Sequence, residues 1–87
     1  MTRKALKGEV HDGMFPAEVL MRFRDAAGRE VSFFAPIALV SRSAGAVGTV
    51  SVRVISAENG EYLVELPGDV YGAGRVVAVR ESALVSA

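Results

Sequence analysis

Eighty-seven residues with ten basic side chains, ten acidic ones and no cysteine exclude disulfide staples, thiolate zinc sites, cysteine nucleophiles and iron–sulfur clusters. They also leave no net field to gather nucleic acid or an anionic membrane over a broad surface. Half of the residues are hydrophobic (51%) and mean hydropathy is +0.31, so one domain spanning residues 1–87 is expected, with more apolar surface than one face of a small open sheet can bury.

The basic N-terminus, Arg3, Lys4 and Lys7, has no apolar segment behind it and does not read as a signal peptide. No run approaches the roughly 20 apolar residues of a membrane helix. A cytoplasmic chain is expected, and eight arginines against two lysines suit a GC-rich bacterial genome. Lys7–Val10 reads as a short first strand, followed by a turn at His11-Asp12-Gly13 and a long loop to Ala17.

A first hairpin follows. Val19, Met21 and Phe23 alternate with Leu20, Arg22 and Arg24, the period of two that marks a strand. Asp25-Ala26-Ala27-Gly28 supplies a turn. The return strand puts Val31, Phe33 and Ala35 on one face and Glu30, Ser32 and Phe34 on the other, and Pro36 ends it. Ile37–Ser43 reads as a turn or one helical turn, and Ser43–Gly48 as the soft joint between two halves.

The second hairpin alternates Val50, Val52 and Val54 with Ser51, Arg53 and Ile55, turns at Asn59-Gly60, and returns through Tyr62, Val64 and Leu66. Pro67-Gly68 breaks it, and Arg75–Arg80 reads as a last strand. The two hairpins look like a repeat of Val19–Ala35 in Val50–Leu66, and Ala38-Leu39-Val40-Ser41 recurs as Ala83-Leu84-Val85-Ser86. The expected core is Val19, Met21, Phe23, Val31, Phe33, Val50, Val52, Val54, Tyr62, Val64 and Val77.

Short strands with closely spaced turns are the signature of a small sandwich or barrel, and closure removes exposed sheet edges. With its long loop after the first strand, its short hairpins and its closing Leu84-Val85, the chain resembles an SH3-like barrel. The expected fold is all-β: a small barrel of about five to six short antiparallel strands built from two hairpins.

Five groups of residues merit a functional reading. Leu20, Phe34, Ile55 and Leu63 fall on the nominally polar face and would form an interface if contiguous; burial inside a curled barrel is the equal alternative. Arg22, Arg24 and Arg53 point outward and would bind phosphate or carboxylate if gathered, although pairing with Glu30 and Glu65 is favoured. Phe15 would line a peptide groove with Tyr71, or, as the favoured reading, fold back as a lid on the barrel end. His11-Asp12 is the single acid–base candidate, and its neighbours favour a solvated turn instead. Glycines of the Gly68–Arg75 loop would offer amides to an anion, but the strand that follows them does not suit a dinucleotide fingerprint, and an ordinary turn is favoured. No metal site, cofactor site or catalytic constellation assembles.

The expected function is a non-enzymatic binding module. Its partner would be a second copy in a homodimer, or another protein. A nucleic-acid or nucleotide-binding barrel using Arg22, Arg24 and Arg53 is the alternative.

Overall fold

Period-two alternation carries through to the backbone. A computed structural model describes residues 2–70 and 74–86, in which eight strands and two 3₁₀ turns follow one another: β1 (Thr2–Asp12), β2 (Glu18–Arg24), β3 (Glu30–Pro36), a 3₁₀ turn at Ile37–Leu39, β4 (Val40–Ala44), β5 (Val47–Glu58), β6 (Glu61–Val70), β7 (Gly74–Arg80), a 3₁₀ turn at Glu81–Ala83 and β8 (Leu84–Ser86). All pairings are antiparallel. The sheet runs β4-β5-β1-β2-β3-β6-β7, with β8 on β1 and β6 also on β5. The five strands β5, β1, β2, β3 and β6 therefore return on themselves as a small curled barrel. Its thinnest seam is β3–β6, which pairs only Phe33 with Val70.

The barrel confirms the all-β expectation, and the strand number corrects it. The expected five to six become eight, because β4 and β8 are short strands where a turn and a chain end were read, and because β1 is longer than Lys7–Val10. The reason lies in pairing. β1 is the central strand, held by β2, β5 and β8, so partners on both sides extend it through the charged N-terminal residues and through His11 and Asp12.

The core follows from which face each alternation presents. Leu6, Val10, Val19, Met21, Phe23, Phe33, Ala35, Val50, Val52, Val64, Leu66 and Val79 are buried in one cluster, and no polar side chain is buried among the described residues. Of the expected core, Val31, Val54, Tyr62 and Val77 are only partly covered. Leu6 lies outside the strand expected at Lys7–Val10, and Val10, Ala35, Leu66 and Val79 are core residues that the expected set lacks. The tight turn at Asn59-Gly60 appears as expected, with φ of 53° and 79°, the doubly left-handed geometry that suits a two-residue hairpin.

At the other hairpin tip, the Asp25 carboxylate accepts the backbone N–H groups of Ala27 (3.0 Å) and Arg29 (2.9 Å) and the Arg29 Nε (3.2 Å). The Arg29 amide bond, aided by the Arg29 charge, holds this carboxyl below its ordinary value of 3.8. A carboxyl lowered by folding stabilises the fold above its unfolded pKa and loses that contribution as pH falls through the folded one. The loss of melting temperature below about pH 4 should therefore be shallower in Asp25→Asn than in the wild type, as thermal melts across pH would read.

The pairings contain a second regularity. A shift of 44 residues carries Val40–Val50, Ser41–Thr49 and Arg42–Gly48 onto Leu84–Leu6, Val85–Ala5 and Ser86–Lys4. It carries Leu6 onto Val50, its own partner in the β1–β5 ladder. The hairpin pairs Val19–Ala35, Leu20–Phe34 and Met21–Phe33 correspond to Tyr62–Val79, Leu63–Ala78 and Val64–Val77. Entry into each 3₁₀ turn matches as well, Ile37 N–H donating to the Ala17 carbonyl and Glu81 N–H to the Gly60 carbonyl, both at 2.9 Å. The chain is thus two β-β-β-3₁₀-β units related by a two-fold through the Leu6–Val50 pair. The repeat read from the sequence had the wrong partners: the equivalent of hairpin β2–β3 is β6–β7, not β5–β6, and Ala38–Ser41 sits one residue out of step with Ala83–Ser86. Shared letters misled because inward-facing positions need only be apolar, so Leu6 and Val50 or Ala35 and Val79 are equivalent without being alike.

Candidate interaction site

The two units differ most where the first strand meets the second. In the second unit, Asn59 and Gly60 alone join β5 to β6; in the first, the five residues Gly13–Ala17 join β1 to β2. Met14 and Phe15 lie in that longer loop and are 79% and 65% exposed. The loop is anchored at its base, Glu18 N–H donating to the Phe15 carbonyl at 3.2 Å. Beside it, Ile37 opens the 3₁₀ turn and is 53% exposed. A cleft of about 550 Å³ lies between these residues, floored by Val19 and Val40 and rimmed by Asp12, Glu18 and Arg42. Arg42 Nη2 stands 4.0 Å from the Asp12 carboxylate and 3.5 Å from the Val10 carbonyl, so the guanidinium is held at the rim.

The matching place in the second unit has the opposite character. Glu81 stands where Ile37 does, and accepts a 3.2 Å hydrogen bond from the Tyr62 hydroxyl. That bond and the charge of Glu81 raise the phenol above its ordinary 10.0. Lys4 Nζ lies 6.0 Å from the centre of the Tyr62 ring. In the second unit this position is polar and internally paired; in the first it presents uncovered apolar side chains.

Phe15 is therefore not a lid. Val10, Val19 and Ala35 already fill the barrel at this end, at 2%, 5% and 0% exposure, and leave it nothing to cap. Tyr71, its expected groove partner, lies outside the described residues, as does part of the Gly68–Arg75 loop.

The four outward apolar residues do not make one patch. Leu20 is the direct cross-strand partner of Phe34, and Ile55 sits in the β5 bulge beside the Ser56–Leu63 pair. Phe34 is near the single β3–β6 pair at Val70, from which Leu63 is seven residues, or roughly 23 Å, along the strand. Phe34, Ile55 and Leu63 are 41%, 45% and 37% exposed, whereas Leu20 is half-buried.

The three arginines are also apart. β1 separates β2 from β5, and the β1 partners of Arg22 and Arg53 are Glu9 and Arg3, six residues and roughly 20 Å from each other. Arg22 Nε lies 3.8 Å from Glu30, Arg53 Nη2 2.9 Å from Glu65, and Arg24 donates to the Gly28 carbonyl at 2.9 Å. Each guanidinium thus has a partner on its own hairpin or ladder. The Arg53–Glu65 pair is about one-third exposed on both sides, so a double-mutant cycle should give a coupling of about 0.5–1 kcal/mol that shrinks in high salt.

His11 turns from Asp12 to Glu9, its Nε2 lying 3.1 Å from that carboxylate. Alternation explains this, since residues two apart on a strand share a face and adjacent residues do not. Among the described residues no three or more His, Cys, Asp or Glu side chains gather as a metal site would require, and no helix is long and apolar enough to cross a membrane. Two other clefts, of about 740 and 590 Å³, are lined by charged groups such as Asp25, Arg22 and Arg24, which are held in the contacts above.

No family model, curated protein or solved structure matches this chain. Fold and site together define a class: a two-unit antiparallel barrel with one apolar, uncovered end.

Proposed function

We propose that this chain is a non-enzymatic interaction module that self-associates, with Met14, Phe15 and Ile37 as its contact surface. The observation that carries this reading is the difference between the two units: the longer loop of the first holds the two most exposed large apolar side chains among the described residues, and the second unit closes the same place with Tyr62 and Glu81. An exposed apolar cluster beside a concave cleft is the surface that contacts use. Phe15 is the anchor, because aromatic residues concentrate interface energy. The partner is a second copy, closed two-fold dimers being the commonest assembly. Nucleic-acid binding is the weaker reading, since Arg22 and Arg24 are separated from Arg53 and carry local partners.

Light scattering over a concentration series tests the proposal. Wild-type mass should rise toward twice 9.2 kDa, and Phe15→Ser should weaken the dimer about 30-fold or more without changing the far-UV spectrum, as an anchor worth ~2 kcal/mol implies. A wild type that stays monomeric throughout would exclude self-association.

A further inference from the structure

We propose that the surface between the two units is itself an interaction surface whose partner is a second copy of this chain: the barrel is the one-chain form of a two-fold assembly, and two chains can exchange halves at the Gly45–Ala46 turn. This does not depend on the Phe15 cleft.

Several pairings cross between the two units. Each has its twin. The β1–β5 ladder is its own equivalent about Leu6–Val50, and the β4–β5 ladder is repeated by β8–β1. Hairpin β2–β3 meets the second unit at Phe33–Val70 on β6 and where Ala26 N–H donates to the Ala78 carbonyl of β7 at 2.8 Å. None of these contacts needs both units to belong to one chain.

Only the connection imposes that, and it is slight. Ala44 pairs directly with Val47, and the exposed Gly45 and Ala46 complete the turn between them. Neither unit has a core of its own, because Leu6, Met21 and Phe33 of the first bury themselves in one cluster with Val50, Val64 and Val79 of the second. A chain whose halves separate thus exposes a surface that the complementary half of a second copy fits in every ladder. Such exchange of identical elements is a low-cost route to dimers, and shortened hinge loops promote it.

Deleting Gly45 and Ala46 tests this, in the Phe15→Ser background so that the cleft contributes no association. Ala44 would then join Val47 directly, β4 and β5 could not fold back on each other, and they would run as one strand paired with the same strand of a second chain. The expected result is a far-UV spectrum like that of the parent with twice its mass by light scattering. A folded monomer would overturn the proposal.

If the deletion variant is insoluble, a circular permutant decides. Five residues separate Arg42 from Gly48, and Ser86 and Lys4 are the equivalent pair. Joining Ala87 to Met1 through one glycine gives a connection of the same length, with new ends opened between Gly45 and Ala46. Equivalent connections predict a folded monomer with a urea midpoint within about 0.5 M of the parent. An unfolded permutant would overturn the proposal.

Discussion

Replacing Phe33 by Ala is expected to cost about 3–5 kcal/mol, most of the stability of a domain this small. Phe33 is 2% exposed and is the largest fully buried side chain among the described residues. Its ring meets Phe23 edge to face, centroids 6.1 Å apart and planes at 81°, an arrangement worth about 0.5–1.5 kcal/mol beyond the area buried. It also belongs to the one residue pair that joins β3 to β6, so the cavity would open at the thinnest seam of the barrel. Urea denaturation should show a fall in midpoint large enough to leave the variant partly unfolded at 37 °C, whereas Ser32→Ala, outward on the same strand, should stay within about 0.5 kcal/mol of the wild type.

Gly68→Ala should damage the same seam by a different route. A Cβ at Gly68 would be driven into the backbone carbonyl of Phe34, and would stand 3.5 Å from the Phe33 ring. Backbone cannot rotate aside as a side chain does, so β6 must move off β3. Overpacking costs typically 1–3 kcal/mol where side chains relax, and here about 3 kcal/mol or more is expected. Hydrogen exchange should show the loss concentrated at Phe33 and Val70, because this seam has no other pair to hold it. Pro67-Gly68, read from the sequence as the end of a strand, instead lies inside β6, where the Phe34 carbonyl leaves no room for a side chain.

Hairpins were legible because both of their determinants are local. Alternation fixed the faces of β2, β3 and the start of β5, and Asn59-Gly60 fixed a turn. β1 was only half legible. Its outer residues gain strand structure from β5 and β8, partners more than forty residues away, which no local pattern records. The two-fold was nearly invisible for a related reason: equivalent positions share burial rather than identity. Leu20 and Leu63 share both place and letter, but the more visible Ala-Leu-Val-Ser match is out of step with the structure.

The candidate site was legible in one residue and misjudged in arrangement. Phe15 stood out as a large apolar residue in a long loop, and that is what the structure displays. Its exposure was unreadable, because whether a loop folds over a barrel end depends on how well Val10, Val19 and Ala35 fill that end. Ile37 escaped notice since it follows Pro36 outside any alternating run. The arginines were assigned a correct face and, in the favoured pairing with Glu30 and Glu65, the correct partners for Arg22 and Arg53, whereas gathering them, or the four outward apolar residues, into one patch needed a neighbourhood the sequence does not contain. Faces follow from period two, and neighbourhoods from strand order, which places β1 between β2 and β5 and leaves Leu63 well beyond the single β3–β6 pair.

The most direct test of the account is a pair of amide ¹H–¹⁵N spectra of the ¹⁵N-labelled chain, recorded dilute and concentrated. Shifts confined to Gly13–Ala17, Ile37 and Arg42 are the predicted result, with Tyr62 and Glu81 at the opposite end unchanged. Spectra that superimpose at both concentrations, or shifts centred on Arg22, Arg24 and Arg53, would contradict it.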